Sequence, residues 1–188
     1  AFLYFSALPA FSQTPPAAPP APVSEVADMV TQGVLSLDMR YRYEYVDEDN
    51  FEDEANASTL RSKVAFQSAL YEGFSFLAEL SNVSYIGADD FNSTENGETQ
   101  YPVVADPDGT ELNQAWARYG WKELSGIYGR QRIVYDDQRF IGDVAWRQNE
   151  QTYDGLRAGW ISNAGLSLDY AYVYGINRIF GPDDSNAQ

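Results

Sequence analysis

The sequence of 188 residues contains neither cysteine nor histidine. Without cysteine the chain can form no disulfide bond and no thiolate metal site, and without histidine it lacks the commonest general base and metal ligand. We therefore predict a protein that is not an enzyme, with no catalytic residue, no metal site and no cofactor. The formal net charge of −16 argues against nucleic acid as a partner, because phosphates need a basic surface.

Long apolar runs are missing as well. Since no stretch of about 18 or more apolar residues occurs, no segment is predicted to cross a membrane as a helix. Aromatic residues are abundant instead, at 15% of the chain with 14 tyrosines. Apolar and polar residues are finely interleaved along the sequence, which indicates strands with two different faces.

The first 32 residues differ from the remainder of the chain. The segment AFLYFSALPAFSQ is typical of the end of a secretory signal, because an apolar stretch precedes the small residues Ala10 and Ser12. We predict that residues 1–12 are the remnant of a signal peptide and that residues 13–32 are a Pro/Ala-rich linker. The alternative for the first residues is a short apolar strand or helical turn. Residues 33–188 are predicted to be the N-terminal part of an outer-membrane β-barrel.

Strict alternation of side chains supports the barrel. In VLSLDMRYRYEYV, residues 34–46, apolar or aromatic residues occupy every second position, and this period of two predicts a strand. The segment exceeds the usual length of about five or six residues in soluble strands and suits a tilted transmembrane strand of about 9–11 residues. Six further segments repeat the pattern: residues 58–70, 74–82, 113–121, 124–133, 152–161 and 166–174.

The connections between these segments alternate in length. Tight turns lie at one end of the predicted strands, and long acidic loops lie at the other end, as in barrels with short periplasmic turns and long outer loops. The predicted fold class is therefore all-β, an antiparallel up-and-down transmembrane β-barrel. About seven strands would leave open edges, which lipid does not tolerate, so we expect an incomplete, open portion of the barrel and a fragment at both ends.

Ten basic residues are candidates for lining the lumen and contacting a solute. Eight of them fall on the polar faces of the predicted strands, and two belong to the loop at residues 134–151. Rings of arginine in a pore favour anions, and guanidinium forks bind carboxylates with two hydrogen bonds. The candidates are Arg40, Arg42, Arg61, Lys63, Arg118, Arg130, Arg132, Arg139, Arg147 and Arg157.

Two alternatives remain open for these residues. The lumen arginines could instead pair with inward acids and brace the wall; the acids on the same faces are Asp38, Glu44, Glu79 and Asp169. The loop at residues 134–151 is expected to fold inward and narrow the pore, with Arg139, Arg147, Gln148 and Asn149 touching the solute. The alternative is that it is a surface loop.

Several segments resemble the alginate export family of outer-membrane proteins. They are LDMRYRYEYVDEDNFEDEANASTLRSK, YPVVADPDGTELNQAWARY, GRQRI, DDQRFIGDVAWRQNEQTYD and YAYVYGINRIFG. The resemblance implies a monomeric barrel of about 18 strands with a basic lumen that passes a polyuronate or a related acidic sugar. It also implies that Arg130 and Arg132 of GRQR and Arg147 of WRQNEQ are the best candidates for lumen contacts.

We therefore predict a channel of the bacterial outer membrane that passes anionic polysaccharides such as alginate-like uronates, or other small anions, through an arginine-lined lumen. The expected partners are outer-membrane lipid, lipopolysaccharide and the anionic solute. One alternative is a nonspecific or structural outer-membrane barrel. Another is a soluble β-sandwich that binds calcium or carbohydrate, which would stay in solution without detergent.

Overall fold

The computed structural model describes residues 2–6 and 20–181 of the chain. That part contains ten strands and one short helix. In chain order they are β1 (Phe2–Ser6), β2 (Pro22–Val23), α1 (Asp28–Thr31), β3 (Val34–Val46), β4 (Ala55–Gln67), β5 (Leu70–Tyr71), β6 (Phe74–Asp90), β7 (Gly109–Trp121), β8 (Leu124–Gln131), β9 (Thr152–Ile161) and β10 (Ser167–Asn177).

The strands form one open sheet, which confirms the predicted all-β fold. Its order is β1-β10-β9-β8-β7-β6-β4-β3, and every neighbouring pair along this path is antiparallel. Among the ten strands of the described residues, only the short β2–β5 pair is parallel. The seven predicted strands are all present, and β6 continues to Asp90, well beyond its predicted end. Because the described strands build a single sheet, the β-sandwich alternative, which needs two packed sheets, is wrong.

The two faces of the sheet differ in character. On β3 the side chains of Leu35, Leu37, Met39, Tyr41, Tyr43 and Tyr45 are between 51% and 72% exposed. The opposite face carries charged pairs in register, with Arg40 across from Arg61 and Asp38 across from Lys63. An apolar face turned outward and a polar face turned inward is the arrangement of a barrel wall in lipid.

Three tight connections form the short-turn rim of the sheet. The two-residue hairpin between Tyr71 and Phe74 has positive φ at Glu72 (47°) and Gly73 (86°), the turn geometry that matches the twist of paired strands. A Cβ atom at Gly73 would lie 2.2 Å from the carbonyl oxygen of Gly120, so glycine is required there. The helix α1 packs on the same rim, where the Met29 carbonyl accepts a 2.9 Å hydrogen bond from Ala69.

Two of the long connections, residues 91–108 and 132–151, return to the polar face of the sheet. Phe91 and Val104, from residues 91–108, pack on Ala55 and Ala57 of β4 in one buried cluster. A second cluster joins Ile133, Tyr153 and Ala171. The small cores of the described chain therefore lie between the sheet and its loops. Within residues 2–6 and 20–181, no helix is long and apolar enough to cross a membrane.

The predicted signal remnant and linker fall partly outside the described residues. Residues 2–6 form β1 on the free edge of β10, and residues 22–31 form β2 and α1. Residues 1 and 7–19 are not among the described residues, so both assignments stay predictions.

Candidate functional site: the polar face and its crossing loop

The connection between β8 and β9, here called the crossing loop (residues 132–151), lies across the polar face of the sheet. Arg40 of β3 donates three hydrogen bonds of 2.8–3.1 Å to the carbonyl oxygens of residues 145–147. Arg42 donates a further one of 2.8 Å to the Trp146 carbonyl. Because these guanidinium groups bind the main chain, the loop is held against β3.

The other end of the crossing loop contacts β10. The Tyr135 hydroxyl donates a 2.6 Å hydrogen bond to Asp169, and the guanidinium of Arg157 lies 5.5 Å from the centre of its ring. Burial, together with the hydrogen bond to Asp169, raises the pKa of Tyr135. The loop therefore spans the polar face from β10 to β3, and the prediction that it folds inward agrees with its position here.

Gln148 and Asn149 hold this loop in place. The Gln148 side chain donates to Thr59 Oγ1 at 2.8 Å, and its main-chain N–H donates to Asp106 at 2.9 Å. Asn149 donates to the Pro107 carbonyl at 3.0 Å. Gln148 is 0% exposed and Asn149 is 4% exposed, so the expectation that these two residues touch the solute is wrong.

Glu150 is a buried acid of the crossing loop. It forms a close ion pair with Lys63, lies 3.5 Å from Arg61 and 3.6 Å from Arg132, and accepts a hydrogen bond from Asn113. Burial by itself would raise the pKa of Glu150, but Lys63 and Arg132 outweigh it, so the pKa lies below its usual value. Three of the candidate lumen cations thus share one carboxylate.

A second charged cluster surrounds Trp146. Arg42 forms a close ion pair with Glu44 and lies 3.6 Å from Asp106. Arg147 lies 3.4 Å from Glu44 and 3.8 Å from Asp106. Arg40 stands beside this cluster and makes no ion pair with any described residue, since its partners are carbonyl oxygens. Three cations and two acids leave a local charge of +1.

Other inward acids neutralise further arginines. Asp38 pairs with Arg61 at 2.9 Å, and Arg132 donates a 2.8 Å hydrogen bond to Asp143. Arg157 makes two hydrogen bonds to Asp169, at 2.7 and 2.9 Å. Glu79 differs from the other inward acids, because it accepts from the amides of Asn113 and Gln114 rather than from an arginine.

Arg118 lines a cavity of about 370 Å³ at the short-turn rim. Lys122, Arg157, Glu123 and Asp169 also line this cavity. Among the residues that the structure describes, Arg118 has no ion pair and no side-chain hydrogen bond. Like Arg40, it therefore has no acidic partner within ion-pair distance among the described residues.

Arg130 lies on the other face of the sheet. Its register partners are Ala115 on β7 and Asp154 on β9, in the row that carries Tyr128 and Leu156. Arg130 donates hydrogen bonds of 2.9 and 3.0 Å to the two carboxylate oxygens of Asp154. The prediction that Arg130 and Arg132 point to the same face is wrong, because β8 ends at Gln131 and Arg132 already belongs to the crossing loop.

Arg139 lies near the tip of the crossing loop. Its side chain is 72% exposed and lies 3.6 Å from Asp137, which is itself 66% exposed. The structure therefore places Arg139 in the loop predicted to fold inward, but away from the clusters that hold this loop on the sheet.

Three further acids that pair with basic residues of the polar face were not revealed by the sequence. Asp106, Asp143 and Glu150 lie in loops, and each is at most 4% exposed. Nothing in their local sequence separates them from the solvated acids of the same loops. Within the described part of the chain, no group of three or more acidic side chains is placed to hold a metal ion.

Comparison with protein-family models matches residues 32–170 to the family described as alginate export. No curated protein matches the chain.

Proposed function

Since the chain belongs to the alginate export family, a family of outer-membrane transport proteins, we propose that it builds part of the wall and constriction of a channel for acidic polysaccharides. The solutes that suit this wall are alginate-like uronates and smaller anions. The exposed apolar face would contact outer-membrane lipid, and the long acidic loops would meet lipopolysaccharide at the outer surface.

The crossing loop is the observation that carries this proposal. It lies on an arginine-rich polar face, while the opposite face of the same strands is apolar and exposed. In a closed barrel this loop would narrow a water-filled lumen, and side chains at the narrowest point act most strongly on a passing solute.

The ion pairs define which arginines are available to an anion. Arg42, Arg61, Lys63, Arg132, Arg147 and Arg157 all have acidic partners. Arg40 and Arg118 have none among the described residues, so they would supply most of the uncompensated positive charge. An anion entering the lumen would be attracted chiefly by these two groups.

The dense pairing also favours a second candidate function, in which the charged network only braces the wall of a nonspecific barrel. In that case substitutions on the polar face change stability and leave permeation unaffected. The two candidates therefore differ in the response of ion selectivity to Arg118, which the protein groups around it do not neutralise.

The test uses the intact protein in planar lipid bilayers, with reversal potentials measured across a KCl gradient. We expect anion selectivity, and we expect Arg118→Gln to lower the anion-to-cation permeability ratio about twofold, because one uncompensated charge is lost from the lumen. Arg139→Gln is the matched control, since Arg139 is exposed and already paired with Asp137. Cation selectivity, or a ratio that Arg118→Gln leaves unchanged, would contradict the proposal.

A further inference from the structure

Trp146 is a large aromatic side chain that the crossing loop exposes on the polar face. It is 58% exposed, although its carbonyl oxygen is bound by both Arg40 and Arg42. We propose that Trp146 is the residue that recognises the sugar ring of the solute, as distinct from its charge. This inference rests on the proposed passage of acidic polysaccharides.

Two guanidinium groups lie against the indole of Trp146. The guanidinium carbon of Arg147 lies 4.1 Å from the centre of the ring, and that of Arg42 lies 5.2 Å from it. Both arginines are themselves held by Glu44 and Asp106. A ring held in this way loses little conformational freedom when a ligand stacks on it, and such preorganisation favours binding.

The chemistry of the site suits a uronate. The face of an aromatic ring is electron-rich, and the C–H groups on one face of a pyranose ring carry slight positive charge, so the two surfaces attract each other. Around Trp146, the three cations Arg40, Arg42 and Arg147 and the two acids described above leave a local charge of +1. A sugar that bears a carboxylate therefore gains both from stacking and from the field.

Phe140, in the same loop, provides a contrast. Its side chain is 93% exposed, and no guanidinium or aromatic ring among the described residues lies against it. A ring without such support must lose rotamer freedom when it binds, which offsets much of the contact energy. The geometry therefore assigns sugar stacking to Trp146 and not to Phe140.

The experiment measures block of the ion current through the intact protein by an alginate oligosaccharide, and by a neutral glucose oligosaccharide of equal length. We expect Trp146→Leu to weaken alginate block about tenfold, equal to about 1.4 kcal/mol, and Trp146→Phe to stay within about threefold of the parent. Phe140→Leu, the same aromatic-to-leucine change in the same loop, should leave block unchanged. The anion-to-cation permeability ratio should be the same in all four proteins.

Other results would contradict the assignment of sugar stacking to Trp146 or the proposed solute class. Equal block in Trp146→Leu and the parent overturns the assignment, and so does equal loss in Trp146→Leu and Phe140→Leu. If the permeability ratio falls together with the block, displaced arginines account for the effect, and the assignment to Trp146 is overturned as well. Absence of block in the parent protein, or equal block by the neutral oligosaccharide, overturns the proposed solute class itself.

Discussion

Glu150 shows at the scale of one residue how this wall holds charge away from water. Its carboxylate is 4% exposed, and removal of such an ion from water costs several kcal/mol. The cost is offset by Lys63, Arg61 and Arg132, which surround the carboxylate. Such a group adds little net stability when it is paired, but its loss leaves its partners buried without compensation.

We expect Glu150→Gln to lower the free energy of unfolding by about 3–5 kcal/mol, because Lys63 would remain buried and charged. Guanidinium-induced unfolding in detergent micelles measures the effect. Asp137→Asn is the control, since its pair with Arg139 is exposed on both sides and should change stability by less than about 1 kcal/mol. A loss in Glu150→Gln no larger than in the control would show that the cluster is not coupled to the fold.

Glu150 also predicts how the stability of the protein changes at acidic pH. The folded pKa of Glu150 lies below its unfolded value, so its contribution to stability is present above the unfolded pKa of about 4.3 and is lost as the pH falls through the lower folded value. The stability difference between the parent protein and Glu150→Gln should therefore stay constant from about pH 7 to pH 5 and shrink below about pH 4. A difference that persists unchanged to pH 3 or so is the contrary result.

At the scale of single strands, β8 shows where side-chain alternation stops predicting the face of the sheet on which a residue lies. Residues 124–131 alternate regularly, and this row places Arg130 with Tyr128 on the apolar face. Beyond Gln131 the chain turns inward, so Arg132 reaches the polar face although it is two residues away in sequence. The error came from extending a strand past its end, which is the least certain feature of any sequence pattern.

The placement of Arg130 gives a prediction for the lipid-facing surface. Asp154→Leu should destabilise the protein by about 2–3 kcal/mol, because a lone arginine would face the apolar surroundings. Combining it with Arg130→Leu should restore most of the loss, since an apolar pair can replace a partly buried ion pair at little cost. Unfolding in micelles gives both values. The double variant should keep the anion selectivity of the parent, and a shift of selectivity would mean that Arg130 faces the lumen after all.

Much of the strand architecture could be predicted from the sequence, because side chains repeat every two residues in a strand and a wall in lipid requires opposite faces. The pattern located all seven long strands and the alternation of short and long connections. It could not identify the buried acids Asp106, Asp143 and Glu150, because they lie in loops, where side-chain alternation gives no information. It could not separate Arg118, which is unneutralised, from Arg157, which Asp169 neutralises.

For the whole molecule, the open sheet and the crossing loop together determine how the polar face is used. The sheet supplies rows of charged side chains, and acids of the sheet itself neutralise Arg42, Arg61 and Arg157. The crossing loop adds Glu150, which neutralises Lys63, and presents Trp146 above these rows. The remaining positive charge is local, at Arg40 and Arg118. Selectivity would therefore depend on a few positions rather than on a uniform basic lining.

The hydrogen bonds between β3 and the crossing loop have a consequence for the order of folding. Arg40 and the carbonyl groups that it binds are 105–107 residues apart in the chain. Contacts that close so long a stretch form slowly, and these join an early strand to a loop that is complete only when β9 is in place. The hairpin at Gly73, by contrast, forms from residues that are close together in the sequence. Docking of the loop is then a late event, and the growing wall passes through a stage in which its polar side is still uncovered.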